Sequence, residues 1–512
     1  MDTDQEPPAS TTTPQPAEAL QPPSEPDMIF SKGLRVAIQG CGHGALDQIY
    51  ATIEQACRIN NYTVDLLIIC GDFQATRNSR DLLAMSVPAK YRRMCDFYKY
   101  YNGSKVAPIP TLFIGGNHEA SAHLYELSLG GWAAPNMYYM GNTGVVDVNG
   151  LRIAGVSGIY KDGDYRRPRG ERPPFDDRSM RSAYHYRAHE LFKLNQLSGD
   201  IDIFISHDWP EGITKYGNEP GLLRVKPHFR AEVASGTLGS PPLMGMLRKL
   251  RPRYWFAAHM HIKFPAVVDH DVPVRTESAA DAAAIAEWTD GLDAVESKNE
   301  DEIDLDMDDG DAPPPAPPPQ KKPAPETNSN SKATQLYPSP PTANTRTRFL
   351  ALDKLLPRRD FLQIVPISSP NPLPESSPNR TTIRYDREWL AITRAFEPLD
   401  VATGVGLSQY MKFAQDTNRV NKRIREEAAW VADNISDEQL LVPANWERTV
   451  ELQFDDNINA RRPPDLVHNP QTETFCKLIG IVNKWTLPLH LRQVSDRPPS
   501  PAGESSQPGY VE

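Results

Sequence analysis

The chain has 512 residues, 39% hydrophobic and 24% charged, with a net charge of −11. At ~100–200 residues per domain this is room for two or three domains. Proline supplies 49 residues, about twice the ordinary ~5% share, which excludes a chain packed from end to end. No apolar run approaches the ~20 residues of a membrane span, and residues 1–27 lack the apolar core of a signal peptide. Five scattered cysteines do not make a disulfide framework. A secreted or membrane protein is not expected, and a reducing compartment, cytosol or nucleus, fits. The charge is uneven. Residues 277–311 hold fourteen acids and one base, Lys298, a net of −13 that leaves the rest of the chain at +2. The acidity therefore does not exclude a nucleic-acid partner.

Residues 1–28 read as a disordered tail. A short strand is predicted over 34–38. Leu46, Ile49, Ile53 and Cys57 recur at helical spacing and predict a helix over 45–60. The continuous apolar run 64–70 reads as a strand buried on both faces, and 111–114 repeats that form. Segments 145–148 and 151–156 flank Asn149-Gly150, a hairpin signal. Two more buried strands, 202–206 and 254–258, are separated by helical stretches at 178–198 and 238–250. Strands alternating with helices predict an α/β layered fold. This regularity ends near Arg275. The segment 276–345 is acidic, then Pro-rich, then Ser/Thr/Asn-rich, and cannot bury enough apolar surface to offset its ordering entropy. Order returns over 347–354, with strands at 361–365 and 381–385 and a helix at 387–396. Residues 405–490 are mixed, and 491–512 form a Pro/Ser-rich tail. The expected organisation is a catalytic domain at 29–275, a disordered insert at 276–345 and a smaller C-terminal domain at 346–490.

Five polar blocks each follow a predicted strand. They are Gly40-Cys41-Gly42-His43-Gly44, Gly71-Asp72-Phe73, Gly115-Gly116-Asn117-His118-Glu119, His207-Asp208 and His259-Met260-His261. That edge of an open α/β sheet is where ligands bind. Imidazole, thiolate, carboxylate and amide oxygen are metal-binding types. The strand period of two would aim Cys41 with His43, and His259 with His261, to one side. Together the blocks offer enough donors for two metals sharing a carboxylate, a site able to activate water and neutralise a phosphoryl group. Each block alone has an ordinary explanation: Cys41 as a small buried hydrophobe, Gly71-Asp72 as a turn, Asn117-His118 as a cap, His207-Asp208 as an internal hydrogen bond. Five blocks in this order, all at strand ends, point to one site.

The order of the blocks resembles the calcineurin-like metallophosphoesterases, with Cys41 where most of that superfamily has an Asp. With that replacement, the blocks resemble the RNA lariat debranching enzymes. Gly130-Gly131-Trp132-Ala133-Ala134-Pro135-Asn136, Gly155-Val156-Ser157-Gly158-Ile159-Tyr160-Lys161 and Arg348-Phe349-Leu350-Ala351-Leu352-Asp353-Lys354 are similar to further signatures of that family. The family usually has Cys at position 42 too; here it is Gly42, and Cys41 is taken as the ligand. The resemblance covers about 30–275 and 346–400. It implies a layered β-sandwich flanked by helices, followed by a C-terminal α+β domain. It further implies two divalent metals, Fe2+, Zn2+ or Mn2+. Cys41, His43, Asp72 and His261 would surround one, and Asp72, Asn117, His207 and His259 the other, with Asp72 bridging. His118 would be the general acid toward the leaving oxygen. The implied reaction is hydrolysis of the 2′–5′ phosphodiester of an excised intron lariat, in the nucleus, with the cytoplasm also open. Branched RNA is the expected partner; no DNA and no membrane are expected.

For RNA contacts, Trp132, Tyr138, Tyr139, Tyr160 and Lys161 combine aromatics with a base, as base-stacking surfaces do; the plainer reading is that several are core aromatics. Arg166-Arg167-Pro168-Arg169 could track the RNA backbone or be a solvated loop, and the loop is the preferred reading. The Pro-rich 312–320 run could dock an SH3- or WW-type partner. Two other functions remain open. Another metallophosphoesterase, such as a protein phosphatase or a 3′–5′ nuclease, is one; Cys41 and the 124–161 segment argue against it, and a single-turnover assay on branched versus linear RNA decides. A non-catalytic scaffold would have lost ligands, and no expected ligand position is empty.

Overall fold

The computed structural model describes residues 33–271, 286, 293–294, 344–369, 381–397, 412–451 and 462–485. The tails 1–28 and 491–512, nearly all of the 276–345 insert, and the 312–320 run with its SH3- or WW-type partner lie outside the described residues.

Two seven-stranded sheets carry the fold. The first contains β1 (Gly33–Gln39), β2 (Leu66–Ile69), β3 (Thr111–Phe113), β4 (Gly131–Ala134), β5 (Met137–Tyr139), β11 (Asp293–Ala294) and β13 (Leu362–Ser368). Their order is β11-β13-β1-β2-β3-β5-β4. The second contains β6 (Thr143–Val148), β7 (Leu151–Val156), β8 (Ile203–Ser206), β9 (Tyr254–Ala257), β10 (Phe264–Asp269), β12 (Arg346–Ala351) and β14 (Ile383–Tyr385). Here the order is β10-β12-β9-β8-β7-β6-β14. Strands β1, β2, β3 and β5 run parallel in the first sheet, and β12, β9, β8 and β7 in the second.

The apolar runs explain the layering. Ile38, Ile68, Leu112, Ile205, Phe256 and Leu350 are buried together between the sheets. Their neighbours Ala37, Leu67, Ile69 and Phe113 pack outward with Leu46, Ile49 and Ile53 of the helix Leu46–Asn60. On the other side Phe204, Trp255 and Ala257 pack with Leu191, Leu194, Leu243 and Leu247 of the helices Ala188–Leu194 and Pro241–Leu250. A strand with both faces covered has no polar side, so it reads as an unbroken apolar run. Asn149 and Gly150 take φ of 50° and 83°, the two positive values a tight two-residue hairpin turn requires.

The chain beyond the insert completes both sheets. β13 pairs antiparallel with β1 in register Gln39↔Leu362, and β12 lies parallel to β9 with Ala351↔Ala257. The helices Arg387–Phe396, Thr417–Asn434 and Pro470–Leu478 share a smaller core around Leu390, Val431, Phe475 and Ile479.

The predicted helix over 178–198 is two shorter helices, Asp177–Ser182 and Ala188–Leu194. Between them His185 makes a bridge to Ile159, which pulls the chain out of the helical path. β4 and β5 were not expected from the sequence; a bulge between Trp132 and Ala134 breaks their alternation. No helix among the described residues is long and apolar enough to cross a membrane.

Candidate metal centre

Every one of the five blocks leaves the carboxyl end of a parallel strand: Cys41 and His43 follow β1, Asp72 β2, Asn117 and His118 β3, His207 β8, and His259 and His261 β9. The sheets thus deliver them to one edge. Cys41, His43, Asp72 and His261 each offer a donor atom, and these atoms all lie within 4.8 Å of one another. His207 Nε2 lies 3.1 Å from Asn117 Oδ1 and 3.4 Å from Asp72 Oδ1. The His207 and His259 rings are 5.0 Å apart. Asp72 is central, with His43 Nε2 3.7 Å and His118 Nδ1 3.4 Å from its Oδ2. Cys41, Asp72, Asn117, His118 and His207 are buried, while His43, His259 and His261 line the open side.

The strand period does not aim the paired ligands, contrary to the sequence argument. His43, Asp72, Gln74, His259 and His261 all have left-handed backbone, with φ of 42°, 49°, 59°, 66° and 47°. Such values are uncommon outside glycine and gather at functional sites. Tight turns past the strand ends therefore point the donors inward. Glycine permits the crowding: a Cβ on Gly116 would stand 2.2 Å from Asp72 Oδ1, and one on Gly71 2.3 Å from His207 Nδ1.

The electrostatics suit a cation. Burial lowers His43 to about 4 and His261 to about 2, so both rings keep a free lone pair at neutral pH. His43 Nε2 is buried without a hydrogen-bond partner and faces Asp72. Burial opposes ionisation of Asp72, but the His207 and His118 imidazoles outweigh it and hold the carboxyl well below its usual range. Burial, then the Asp72 charge, pushes the Cys41 thiol well up, so a thiolate there needs a cation beside it. The His207 Nδ1–H donates to Cys70 O at 2.7 Å, which turns Nε2 toward Asp72 and Asn117. A second hydrogen bond of this kind fixes the tautomer of a metal-ligating histidine. One soft donor, imidazoles and a carboxylate are a fitting set for a borderline divalent ion.

Most of the expected RNA contacts are packing residues instead. Tyr138 and Tyr139 are 3% and 2% exposed. Trp132 stacks edge-on to Tyr138 at 5.2 Å, and its Nε1–H donates to Pro443 O at 2.8 Å. Base stacking by Tyr138 and Tyr139 is excluded, because their rings are buried; Trp132 is half-buried, with its ring against Tyr138 and its N–H already donated. Tyr160 is half-buried against Tyr165 and Tyr186, and its N–H donates to Asp208, next to His207. Lys161 is exposed. Arg169 does not belong to a solvated loop: it is paired with the buried Glu190 at 2.9 Å. The sequence reading assigned nothing to Lys354. It is buried just past β12, beside Gly40, where a Cβ would meet Asp353 O at 2.1 Å. Its charge helps to lower both His43 and His261, after burial and other neighbours. The available signal was positional, since β12 is one more strand ending at this edge.

These sheets and this donor set define a calcineurin-like metallophosphoesterase, and residues 34–263 match the family model described as calcineurin-like phosphoesterase. Divalent metal ions come with that domain. Residues 344–484 match the model described as the C-terminal domain of lariat debranching enzyme. The chain is 47% identical to the lariat debranching enzyme of Drosophila melanogaster, over 89% of this chain and 79% of that one. It is 40% identical to that of Homo sapiens over 88% and 70%, and 39% identical to that of Arabidopsis thaliana over 88% and 86%. The chain belongs to the lariat debranching enzyme family.

Proposed function

We propose that this protein hydrolyses the 2′–5′ phosphodiester at the branch point of excised intron lariats, in the nucleus, releasing a linear intron. The observation that carries the reading is the Cys41–His43–Asp72–His261 cluster, in a chain whose C-terminal part matches the debranching enzymes. Two divalent ions, Fe2+, Zn2+ or Mn2+, are proposed. Cys41, His43, Asp72 and His261 would hold one, and Asp72, Asn117, His207 and His259 the other. When bound, such ions supply an activated water and neutralise phosphoryl charge. His118 is proposed as general acid. Its Nδ1 is turned to Asp72, which leaves Nε2 to give a proton to the departing 2′ oxygen. The buried Asp72 carboxylate keeps that ring oriented.

The test uses protein purified without chelator, its metal content measured, and matched branched and linear RNAs in single turnover. Cleavage is expected at the 2′–5′ bond alone. His118→Ala should retain metal and lose ~10²–10⁴-fold in rate. Equal cleavage of linear RNA overturns the substrate assignment, and loss of metal from His118→Ala overturns the acid role.

A further inference from the structure

Glu119 follows His118 but belongs neither to the ligand set nor to the proposed proton transfer. It is buried, at 2% exposure. Its two oxygens take three backbone N–H groups from the ligand loops. Phe73 N–H donates to Oε1 at 2.7 Å, Gly116 N–H donates to Oε1 at 2.9 Å, and Gln74 N–H donates to Oε2 at 2.8 Å. Those amides directly follow Asp72 on one loop and precede Asn117 on the other.

The backbone held in this way is unusual. Asp72 and Gln74, on either side of Phe73, have φ of 49° and 59°. A conformation that L side chains rarely adopt persists only where its surroundings over-determine it. Gln74, so held, places its Nε2 3.3 Å from His43 Nδ1. One carboxylate therefore reaches the immediate neighbours of His43, Asp72 and Asn117. In the reading above these residues serve both metal subsites.

We propose that Glu119 is a positioning residue that holds the two halves of the metal centre in register. Three converging donors require an acceptor with two open oxygens. An amide of the same shape has one oxygen, and its NH2 opposes at least one of the three N–H groups. Glu119→Gln therefore changes the clamp while nearly keeping the volume. Residues supporting metal ligands in this way typically contribute ~10–100-fold to metal affinity.

This inference rests on the metal-ligand assignment, and the experiment separates the two. The full-length protein is stripped of metal and titrated with Co2+, following the thiolate-to-cobalt charge-transfer band and the visible bands. Glu190→Gln serves as control: it too is a buried carboxylate in a hydrogen-bonded network, with Arg169 and Asn142, but it touches none of the ligand loops. Wild-type protein should show the charge-transfer band; its absence overturns the ligand assignment itself. Glu119→Gln should bind Co2+ ~10–100-fold more weakly, with altered visible bands at saturation. Glu190→Gln should lose thermal stability yet keep wild-type affinity and bands. The positioning role is overturned if Glu119→Gln binds Co2+ like wild type, or if both variants weaken binding equally. Should Glu119→Gln not fold, Glu119→Asp keeps the charge on a shorter arm and is read in the same way, wild-type affinity again overturning the role.

Discussion

Cys41 is the residue on which the chemistry of the centre turns. It lies fully buried beside Asp72, and its Sγ accepts the His259 N–H at 3.3 Å, so the first and last blocks of the chain meet at this atom. A soft sulfur donor favours Zn2+ or Fe2+, while a carboxylate in its place favours harder ions such as Mn2+. Cys41→Asp is therefore expected to keep activity with Mn2+ and to lose relative activity with Zn2+ or Fe2+. Parallel assays of both proteins in each metal decide it, and identical profiles would mean that Cys41 is not a ligand. At this scale the donors were legible in the sequence because each block stands at the end of an apolar run, three of the five with glycine in the block. What aims them was not legible. The left-handed turns at His43, Asp72, His259 and His261 arise from contacts between loops far apart in sequence, and no local pattern announces them.

The elements that were legible are those whose neighbours cover both faces, such as β2 and β8, or whose turn chemistry is unambiguous, such as Asn149-Gly150. β4 and β5 were not, and the aromatics on them looked available for RNA. Some of the partners of Trp132 come from more than 300 residues away. Trp132 exchanges backbone hydrogen bonds with the Gln471 side chain at 2.8 and 2.9 Å, and its ring closes against Tyr138 and Pro443. The sheet edge is thus covered by the C-terminal segment, a long-range fact that local patterning does not carry. Trp132→Ala should consequently act on stability. The ring is half-buried, so the loss should be about 2–4 kcal/mol, at or below the ~3–5 of a fully buried one. Urea unfolding measures it. Activities on branched RNA and on a small aryl phosphodiester should fall together, in step with the folded fraction. A selective loss on branched RNA would restore an RNA contact for this residue.

The whole molecule is joined across the insert by buried polar contacts as well as by β12 and β13. Arg77 donates to Asp81 and Glu126 at 2.8 and 2.7 Å and to Thr449 Oγ1 at 3.2 Å, with all three charged side chains 1% exposed. Removing the cation leaves two buried carboxylates uncompensated, so Arg77→Met should cost about 3–5 kcal/mol, read by urea unfolding; a cost below 1 kcal/mol would place the junction's strength elsewhere. The insert itself has a different standing. Its ends are brought together by an antiparallel pair: Asp269 stands opposite Arg346, and His270 N–H donates to Thr345 O at 2.9 Å. The stem opens at the amino end of β12, whose six residues place it roughly 20 Å from the metal-bearing edge. β11 adds only two residues to the outer edge of β13, which still covers β1. Replacing residues 276–343 by a short Gly/Ser linker should therefore leave debranching within tenfold of wild type. Shortening a closed loop also lowers its entropic cost, by roughly 2 kcal/mol here, so the unfolding midpoint should not fall. The acidic run would no longer repel RNA phosphates, and KM at low salt should drop rather than rise. A rate loss beyond tenfold, about 1.4 kcal/mol of barrier, with the midpoint unchanged, would show instead that the acidic segment takes part in the reaction.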